Sequence, residues 1–233
     1  MNEYFSIAVD GPSGAGKSSL ARRCASAFGF IYVDTGAIYR CVGLAAYRAG
    51  IDRKNPEAVA QLLPRLDIKM AYDESGEQCM YLNGENVSRE IREPNISLCA
   101  SDVSAIPQVR AFLLDMQRKI ARENNVIMDG RDIGTVVLPQ AQLKIFLTAS
   151  PQARAERRML ELREKGIEQS YEKVLEEIIE RDRQDMQRET APLRQAEDAV
   201  LVDTSKIDFQ QSFEVLCRVI SEKLHIEAAG EIK

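Results

Sequence analysis

The segment "GPSGAGKS", residues 11–18, matches the pattern G-x-x-x-x-G-K-[ST] at every fixed position. In a loop of this kind, backbone N–H groups and the N-terminus of the following helix surround the oxygens of a bound phosphate. We expect Lys17 to reach the β- and γ-phosphates of a nucleoside triphosphate and Ser18 to bind Mg²⁺. The predicted nucleotide-binding residues of this loop are Gly11, Pro12, Ser13, Gly14, Ala15, Gly16, Lys17, Ser18 and Ser19.

The segment "VIMDG" ends in Asp129 and Gly130 and resembles a Walker B strand, whose aspartate holds Mg²⁺ directly or through water. Any buried strand followed by Asp-Gly looks similar, so this motif alone does not identify a metal site. Together with the phosphate loop, it makes Ser18 and Asp129 the predicted metal-binding residues. The sequence contains no guanine-reading N-K-x-D segment, so ATP is the expected donor.

Arginines recur where predicted strands end. Arg40 closes "DTGAIYR" after the second strand, and Arg131 and Asp132 follow "VIMDG". Ligands bind at the carboxyl ends of the strands in parallel sheets. Each arginine alone would be expected on a solvated surface, but as a set they favour a second phosphorylated ligand, because guanidinium groups are permanently charged and offer fixed donors. Further arginines follow "TASP" at helical spacing, at Arg154, Arg157 and Arg158.

The segment "ERDRQDMQR", residues 180–188, places Arg181, Asp185 and Arg188 at i, i+4 and i+7. On a helix these side chains share one face. One interpretation is an exposed surface ladder of ion pairs. The other is a ligand-binding stripe, in which Asp185, four residues after Arg181 and three before Arg188, holds both guanidinium groups ready.

Composition excludes several classes of protein. A net charge of −5 with a pI of about 5.2 argues against a general nucleic-acid binder. The single histidine, His225, argues against metal sites built on histidine and against Ser-His triads. The five cysteines are scattered without a CxxC spacing, which predicts reduced thiols that fill the core of a cytoplasmic protein. We also expect no signal peptide and no membrane-spanning segment.

The elements that must position these residues alternate between strand and helix. The β-branched run "YFSIAVD" precedes the phosphate loop as a strand, and a helix is predicted from Lys17 to about Phe28, ended by Gly29. This alternation along the 233 residues predicts an α/β fold with a central parallel sheet covered on both faces. Residues 67–90, with the turns "DESG" and "NGEN", predict a small antiparallel insertion.

These residues together resemble the bacterial cytidylate kinases, within the nucleoside monophosphate kinases, from about residue 5 to about residue 224. The phosphate loop is common to many proteins, whereas "DTGAIYR", "DGRDIGT" and R-D-x-x-D-x-x-R are more specific. Thr35 stands where some members have serine and keeps the hydroxyl group. The resemblance implies ATP-dependent, in-line phosphorylation of CMP and dCMP to CDP and dCDP with Mg²⁺, on a three-layer P-loop fold.

The resemblance also implies three parts. These are a parallel-sheet core at about 1–35, 124–150 and 191–226, a monophosphate-binding region with the β insertion at about 36–123, and a helical lid at about 151–190. Arg157 and Arg158 are implied to approach ATP from the lid. The implied catalytic residues are Lys17, Arg131, Arg158 and Arg188. The implied substrate-binding residues are Thr35, Arg40, Ser101, Arg110, Arg131, Asp132, Arg181, Asp185 and Arg188.

Two other interpretations of the sequence remain open. One is a different P-loop kinase, such as a UMP kinase or a shikimate-type kinase, which would phosphorylate another acceptor. The other is a non-catalytic module that binds nucleotide without turnover. In every case we expect small-molecule ligands, no nucleic-acid or membrane partner, and a monomer, since the sequence shows no heptad repeat or large apolar stripe.

Overall fold

The computed structural model describes residues 4–74, 76–164 and 166–228. The strands are β1 (Ser6–Asp10), β2 (Ile31–Asp34), β3 (Ile68–Tyr72), β4 (Gln78–Leu82), β5 (Glu85–Asn86), β6 (Val126–Gly130), β7 (Leu143–Thr148) and β8 (Val200–Asp203). The helices are α1 (Lys17–Phe28), α2 (Thr35–Arg48), α3 (Pro56–Leu62), α4 (Pro94–Ser104), α5 (Pro107–Glu123), α6 (Pro151–Glu164), α7 (Tyr171–Gln187) and α8 (Phe209–Leu224). The chain forms two compact units, Met1–Tyr32 with Glu123–Lys233, and Val33–Arg122.

A parallel sheet with the strand order β2-β6-β1-β7-β8 forms the core of the first unit. Every residue of β1 is buried, as expected for a central parallel strand covered on both faces. The register sets Asp10 opposite Gly130, so β1 and β6 end side by side. The loops that follow these two strands therefore start next to each other. One of them is the phosphate loop, and the other carries Arg131 and Asp132.

Helices α1 and α8 pack against this sheet and against each other. Apolar side chains at helical spacing on α1 and α8, including Leu20, Cys24 and Leu216, join the buried cluster beneath β1, β6, β7 and β8. Gly29 ends α1 with a φ of 66°, which confirms the predicted helix end. Helices α6 and α7 form an adjoining hairpin around a smaller cluster of Ala155, Leu162 and Val174.

The second unit combines helices α2 to α5 with an antiparallel sheet in the order β3-β4-β5. Helix α2 packs closely on α4 at Gly43. A Cβ atom on Gly43 would lie only 2.9 Å from the backbone nitrogen of Ala100, so this close approach requires glycine. The predicted turn "DESG" includes Ser75, which lies outside the described residues. Helix α3 has no counterpart among the elements predicted from the sequence.

The predicted α/β fold, with its central parallel sheet, flanking helices and small antiparallel insertion, is confirmed. All five cysteines are free, and four of them are buried at Cys24, Cys41, Cys99 and Cys217, as the sequence predicts. Within the described residues, no helix is both long enough and apolar enough to cross a membrane.

Candidate active site

The phosphate loop leaves the end of β1 in a conformation that requires glycine. A Cβ atom on Gly11, whose φ is 148°, would lie 1.9 Å from the carbonyl oxygen of Leu147 on β7. Gly16 starts α1 in a left-handed conformation, and no side chain in the described part of the chain caps this helix end. The N-terminal amides of α1 therefore remain available to an anion.

Lys17 lies inside this loop. Its side chain is 5% exposed, and its Nζ atom donates a hydrogen bond to the carbonyl oxygen of Pro12 at 2.8 Å. Burial lowers the pKa of Lys17 to about 7, and Arg131 acts in the same direction, while Asp129, Asp10 and Asp185 oppose the change. A bound phosphate would add negative charge beside Lys17 and favour its protonated form.

Ser18 and Asp129 meet at the start of α1 and the end of β6. The Ser18 hydroxyl donates to one carboxylate oxygen of Asp129 at 2.8 Å, and the Tyr32 hydroxyl donates to the other at 3.0 Å. A hydroxyl and a carboxylate are oxygen ligands of the kind that Mg²⁺ prefers. Among the described residues no group of three His, Cys, Asp or Glu side chains could hold a metal. A magnesium ion at this place would take its remaining ligands from phosphate and water, as it does in kinases.

Asp10 fixes the loop that follows β6. Its carboxylate, which is buried, accepts hydrogen bonds from the backbone N–H groups of Ile133 at 2.8 Å and Gly134 at 2.7 Å. Burial raises the pKa of Asp10 to about 6, in opposition to these two hydrogen bonds. The residue that immediately precedes the phosphate loop therefore also holds the turn after Arg131 and Asp132.

Arg131 and Asp185 form a partly buried ion pair. The Nε atom of Arg131 donates to Asp185 at 2.7 Å, and the two side chains are 21% and 13% exposed. Burial alone would raise the pKa of Asp185, but Arg131, Arg181 and Arg188 outweigh it and hold that pKa below its usual value. The carboxylate therefore remains ionised among arginines.

Arg188 directly follows the last residue of α7, and its N–H group still donates to the carbonyl oxygen of Gln184. Helix α7 ends at Gln187, and the backbone of Arg188 is extended. The carbonyl oxygen of Asp185 accepts from the N–H group of Leu193 and so takes no part in a further helical turn. The Arg188 side chain donates to the carbonyl oxygen of Ala191 at 2.6 Å and to Asp132 at 3.4 Å.

Arg154, which the sequence shows only as one of three arginines at helical spacing after "TASP", contacts the phosphate loop. It is 2% exposed, and it donates to the carbonyl oxygen of Ser13 at 2.9 Å and to the carboxylate of Asp182. Helical spacing shows which residues share the Arg154 face, but it does not show what that face contacts. The neighbouring Arg157 binds the carbonyl oxygens of Thr204 and Ile207, and Arg158 pairs with Glu161 at the surface.

The second unit holds the predicted residues of α2 close together. Thr35 is buried at the start of this helix, and Asp34 caps it by accepting from the N–H group of Ala37 at 2.9 Å. Asp34 also accepts from Arg40 at 2.7 Å. A Cβ atom on Gly36 would lie 3.0 Å from Asp34 and 3.1 Å from Arg40, so glycine leaves room for this ion pair.

Arg110 lies in the same unit, on α5. It is 8% exposed, donates to the carbonyl oxygen of Ser104 at 3.1 Å, and has its guanidinium carbon 5.5 Å from the centre of the Tyr39 ring. Ser101 lies on α4, one turn before Ser104, whose hydroxyl donates to the Ser101 carbonyl oxygen. Arg110 therefore lies against α2, the helix that carries Thr35 and Arg40.

The structure thus brings together, within the first unit, the phosphate loop and most of the predicted arginines and carboxylates. It leaves Arg157 and Arg158 on contacts outside this group. Thr35, Arg40, Ser101 and Arg110 belong to the second unit. Asp10, Tyr32 and Asp182 contact this group although sequence patterns did not point to them, and Arg154 was identified only as one of several arginines at helical spacing.

The family model and the similar proteins of known sequence all point to one family. The family model "Cytidylate kinase" matches residues 7–222. A cytidylate kinase from Caldanaerobacter subterraneus subsp. tengcongensis is 48% identical over 232 residues, covering 100% of both chains. A cytidylate kinase from a Geobacter species is 49% identical, over 94% of this chain and 93% of its own. One from Caldicellulosiruptor bescii is 47% identical, over 93% of this chain and 94% of its own. By the extent of the family match and by this level of identity, the chain belongs to the cytidylate kinase family.

Proposed function

We propose that this chain transfers the γ-phosphoryl group of ATP to CMP and dCMP, with ADP and CDP or dCDP as products. The observation that carries the proposal is the register of β1 and β6, which sets the phosphate loop beside the loop of Arg131 and Asp132. A phosphate loop alone would suit any P-loop protein. The second set of arginines and carboxylates beside it suits a second phosphorylated ligand, in agreement with membership of the family.

On the donor side, the amides of the phosphate loop and Lys17 hold the β- and γ-phosphates of ATP. The Nζ atom of Lys17 exchanges its hydrogen bond to Pro12 for one to phosphate. Ser18 and Asp129 would hold Mg²⁺, which would neutralise charge on the transferred group. Arg157 and Arg158 are proposed to approach ATP when a lid, residues 151–190, closes and keeps water from the phosphoryl group.

On the acceptor side, the nucleophile is a phosphate oxygen that is already anionic near neutral pH. The reaction therefore needs no general base, and catalysis depends on positioning and on stabilising charge. We assign the acceptor phosphate to Arg131 and Arg188, and the ribose to Arg181 and Asp185. Thr35 and Arg40 are proposed as further acceptor-binding residues.

For the base, we propose that Asp132, with Ser101 and Arg110, selects cytosine. The exocyclic amino group of cytosine is a donor that a carboxylate such as Asp132 can accept from. Uracil presents a carbonyl oxygen at the same position, which would face the carboxylate as acceptor against acceptor. We further propose a cytoplasmic monomer that acts on free nucleotides, without nucleic-acid or membrane partners.

A coupled ADP-release assay with ATP and Mg²⁺ tests the proposal across CMP, dCMP, UMP, AMP, GMP and shikimate. CMP and dCMP should give the highest kcat/KM. Highest turnover with UMP or shikimate would assign the chain to another kinase activity. ATP binding without turnover of any acceptor would indicate a non-catalytic nucleotide-binding module.

A further inference from the structure

One buried guanidinium group joins several elements of the first unit. The Nε atom of Arg154 donates to the carbonyl oxygen of Ala149 at 2.9 Å, just beyond the end of β7. Its Nη1 atom donates both to the carbonyl oxygen of Ser13 and to Asp182, each at 2.9 Å. The Nη2 atom donates to the other oxygen of Asp182. The end of β7, the phosphate loop and helix α7 are therefore all held by Arg154 on α6.

The contact with Ser13 fixes the orientation of a peptide group in the phosphate loop. The C=O and N–H groups of a trans peptide point in opposite directions. Because the Ser13 carbonyl points at Arg154, the N–H group of Gly14 points away from it. The aliphatic part of the Arg154 side chain also lies under Gly14, 3.7–3.9 Å from the position of a Cβ atom there. Without Arg154, the Ser13–Gly14 peptide group would be free to rotate and to turn a carbonyl oxygen toward a bound phosphate.

The contact with Asp182 extends to the arginine cluster. Asp182 and Asp185 lie three residues apart on α7, so their side chains are neighbours on the helix surface. Asp185 in turn accepts from Arg131. A displacement of α7 relative to the phosphate loop would thus move Asp185 and disturb Arg131.

We propose that Arg154 is a positioning residue for phosphoryl transfer, which orients the Ser13–Gly14 peptide group and fixes α7 against the phosphate loop through Asp182. The inference rests on the proposed kinase function.

The alternative is that the pair serves stability alone. A buried ion pair can often be replaced by two apolar residues without loss of stability, whereas removal of one partner leaves an uncompensated charge. The double variant Arg154→Met/Asp182→Leu therefore separates the two roles. Arg154→Lys keeps a positive charge beside Asp182, but its single nitrogen has neither the span nor the planar fork to serve Ala149, Ser13 and Asp182 together. Arg183→Met, at an exposed arginine on the same helix, is the matched control.

The experiment measures thermal unfolding, kcat and KM for ATP and CMP, and direct binding of a fluorescent ATP analogue in the wild type and these three variants. We expect the double variant to recover wild-type melting while KM for ATP stays raised by about tenfold or more and the analogue binds more weakly to the same degree. Arg154→Lys should show the same rise in KM, and Arg183→Met should match the wild type.

Wild-type KM for ATP and wild-type analogue binding in the double variant, or in Arg154→Lys if the double variant does not fold, would overturn the proposal and leave a stabilising role. A wild-type enzyme that binds the analogue but releases no ADP with CMP would instead refute the proposed function. The binding measurements keep these two outcomes distinct.

Discussion

Helices α6 and α7 carry arginine–carboxylate pairs of two kinds. Beside the phosphate loop, Arg154 pairs with Asp182, and the two side chains are 2% and 15% exposed. On the outer surface, Arg183 pairs with Glu180, and these side chains are 60% and 45% exposed. Asp182 and Arg183 are adjacent in the sequence. A single step along α7, about 100° of rotation, thus separates a buried pair from a solvated one.

The contrast shows that burial, and not the presence of an ion pair, separates Arg154 from Arg183. A solvated pair contributes only about 0–1 kcal/mol to stability, and salt screens it. Removing one partner of a buried pair costs about 3–5 kcal/mol, because the other charge is left without compensation. Arg131, Arg154 and Arg188 all combine low exposure with a contact to another residue of the site, at Asp185, Ser13 and Asp132 in turn. Arg183 has no such contact recorded among the described residues; its pair with Glu180 lies within one turn of α7.

The largest effect should come from the buried cation of the phosphate loop. We expect Lys17→Met to lower kcat by about a hundredfold or more, since one donor to the transferred charge is lost. Folding should not suffer at pH 7, because burial lowers the pKa of Lys17 to about 7 and the charged form is costly in the native state. Between about pH 7 and 10, Lys17 is protonated in the unfolded wild type but not in the native state. The free energy of unfolding of the wild type therefore rises with pH in this range, and that of the variant should not. Kinetics and thermal unfolding at pH 7 and 9 check both parts; near wild-type kcat would contradict the P-loop assignment.

The buried carboxylate of Asp10 should make the free energy of unfolding depend on pH. Burial raises the pKa of Asp10 from 3.8 to about 6. Below about pH 4, Asp10 is protonated in both the native and the unfolded state. Between about pH 4 and 6 it is protonated only in the native state. Ionisation of Asp10 therefore lowers the free energy of unfolding as the pH rises through this range. A shift of about two units corresponds to about 3 kcal/mol. We expect the stability difference between wild type and Asp10→Asn to fall by about this amount from pH 4 to pH 7, measured by urea unfolding. A difference that does not change with pH would contradict the assignment.

We proposed that another buried carboxylate, Asp132, selects the base. Asp132→Asn replaces a group that only accepts hydrogen bonds with one that also donates. We expect kcat/KM for CMP to fall and the preference for CMP over UMP to narrow by about 1–3 kcal/mol, the scale of one good contact to a base edge. The ratio of kcat/KM values for the two substrates is the measurement. If the ratio is unchanged, cytosine is read elsewhere, and Ser101 and Arg110 become the next residues to change.

Arg188 tests the interpretation of "ERDRQDMQR" as a ligand-binding stripe. We expect Arg188→Ala to lower kcat/KM for CMP by about tenfold or more, which corresponds to about 1.4 kcal/mol of lost transition-state stabilisation. Subsaturating CMP is needed to detect it. The fall should exceed any fall in kcat/KM for ATP, because the residue lies beside Asp132. Wild-type kinetics would instead show that the stripe does not bind CMP.

Much of this arrangement follows from the sequence, because local patterns determine it. The phosphate loop, the ends of β1 and β6, and helix α1 with its terminal Gly29 are all encoded by residues close together in the chain. The role of Asp10 is not, since its partners Ile133 and Gly134 lie more than a hundred residues away. Arg154 was visible as one of several arginines at helical spacing, but only packing against Ser13 distinguishes it from Arg158. The end of α7 at Gln187 depends on the hydrogen bond from Leu193 to Asp185, which spacing alone does not reveal.

The smallest effect is expected at the exposed pair, and it tests the comparison most directly. Arg183 and Glu180 hydrogen bond through two nitrogen atoms, so their geometry is as good as that of a buried pair. If geometry determined the contribution of a pair, Arg183→Ala would destabilise the protein as much as loss of a buried partner does. Because both side chains are solvated and salt screens their attraction, we expect the free energy of unfolding of Arg183→Ala to equal that of the wild type within the error of the measurement, at low and at high salt. The kinetic constants for ATP and CMP should equal those of the wild type. Urea unfolding at low and high salt, with steady-state kinetics, makes the test. A clear loss of stability, or of turnover, in Arg183→Ala would show that burial is not what separates the two kinds of pair on α7.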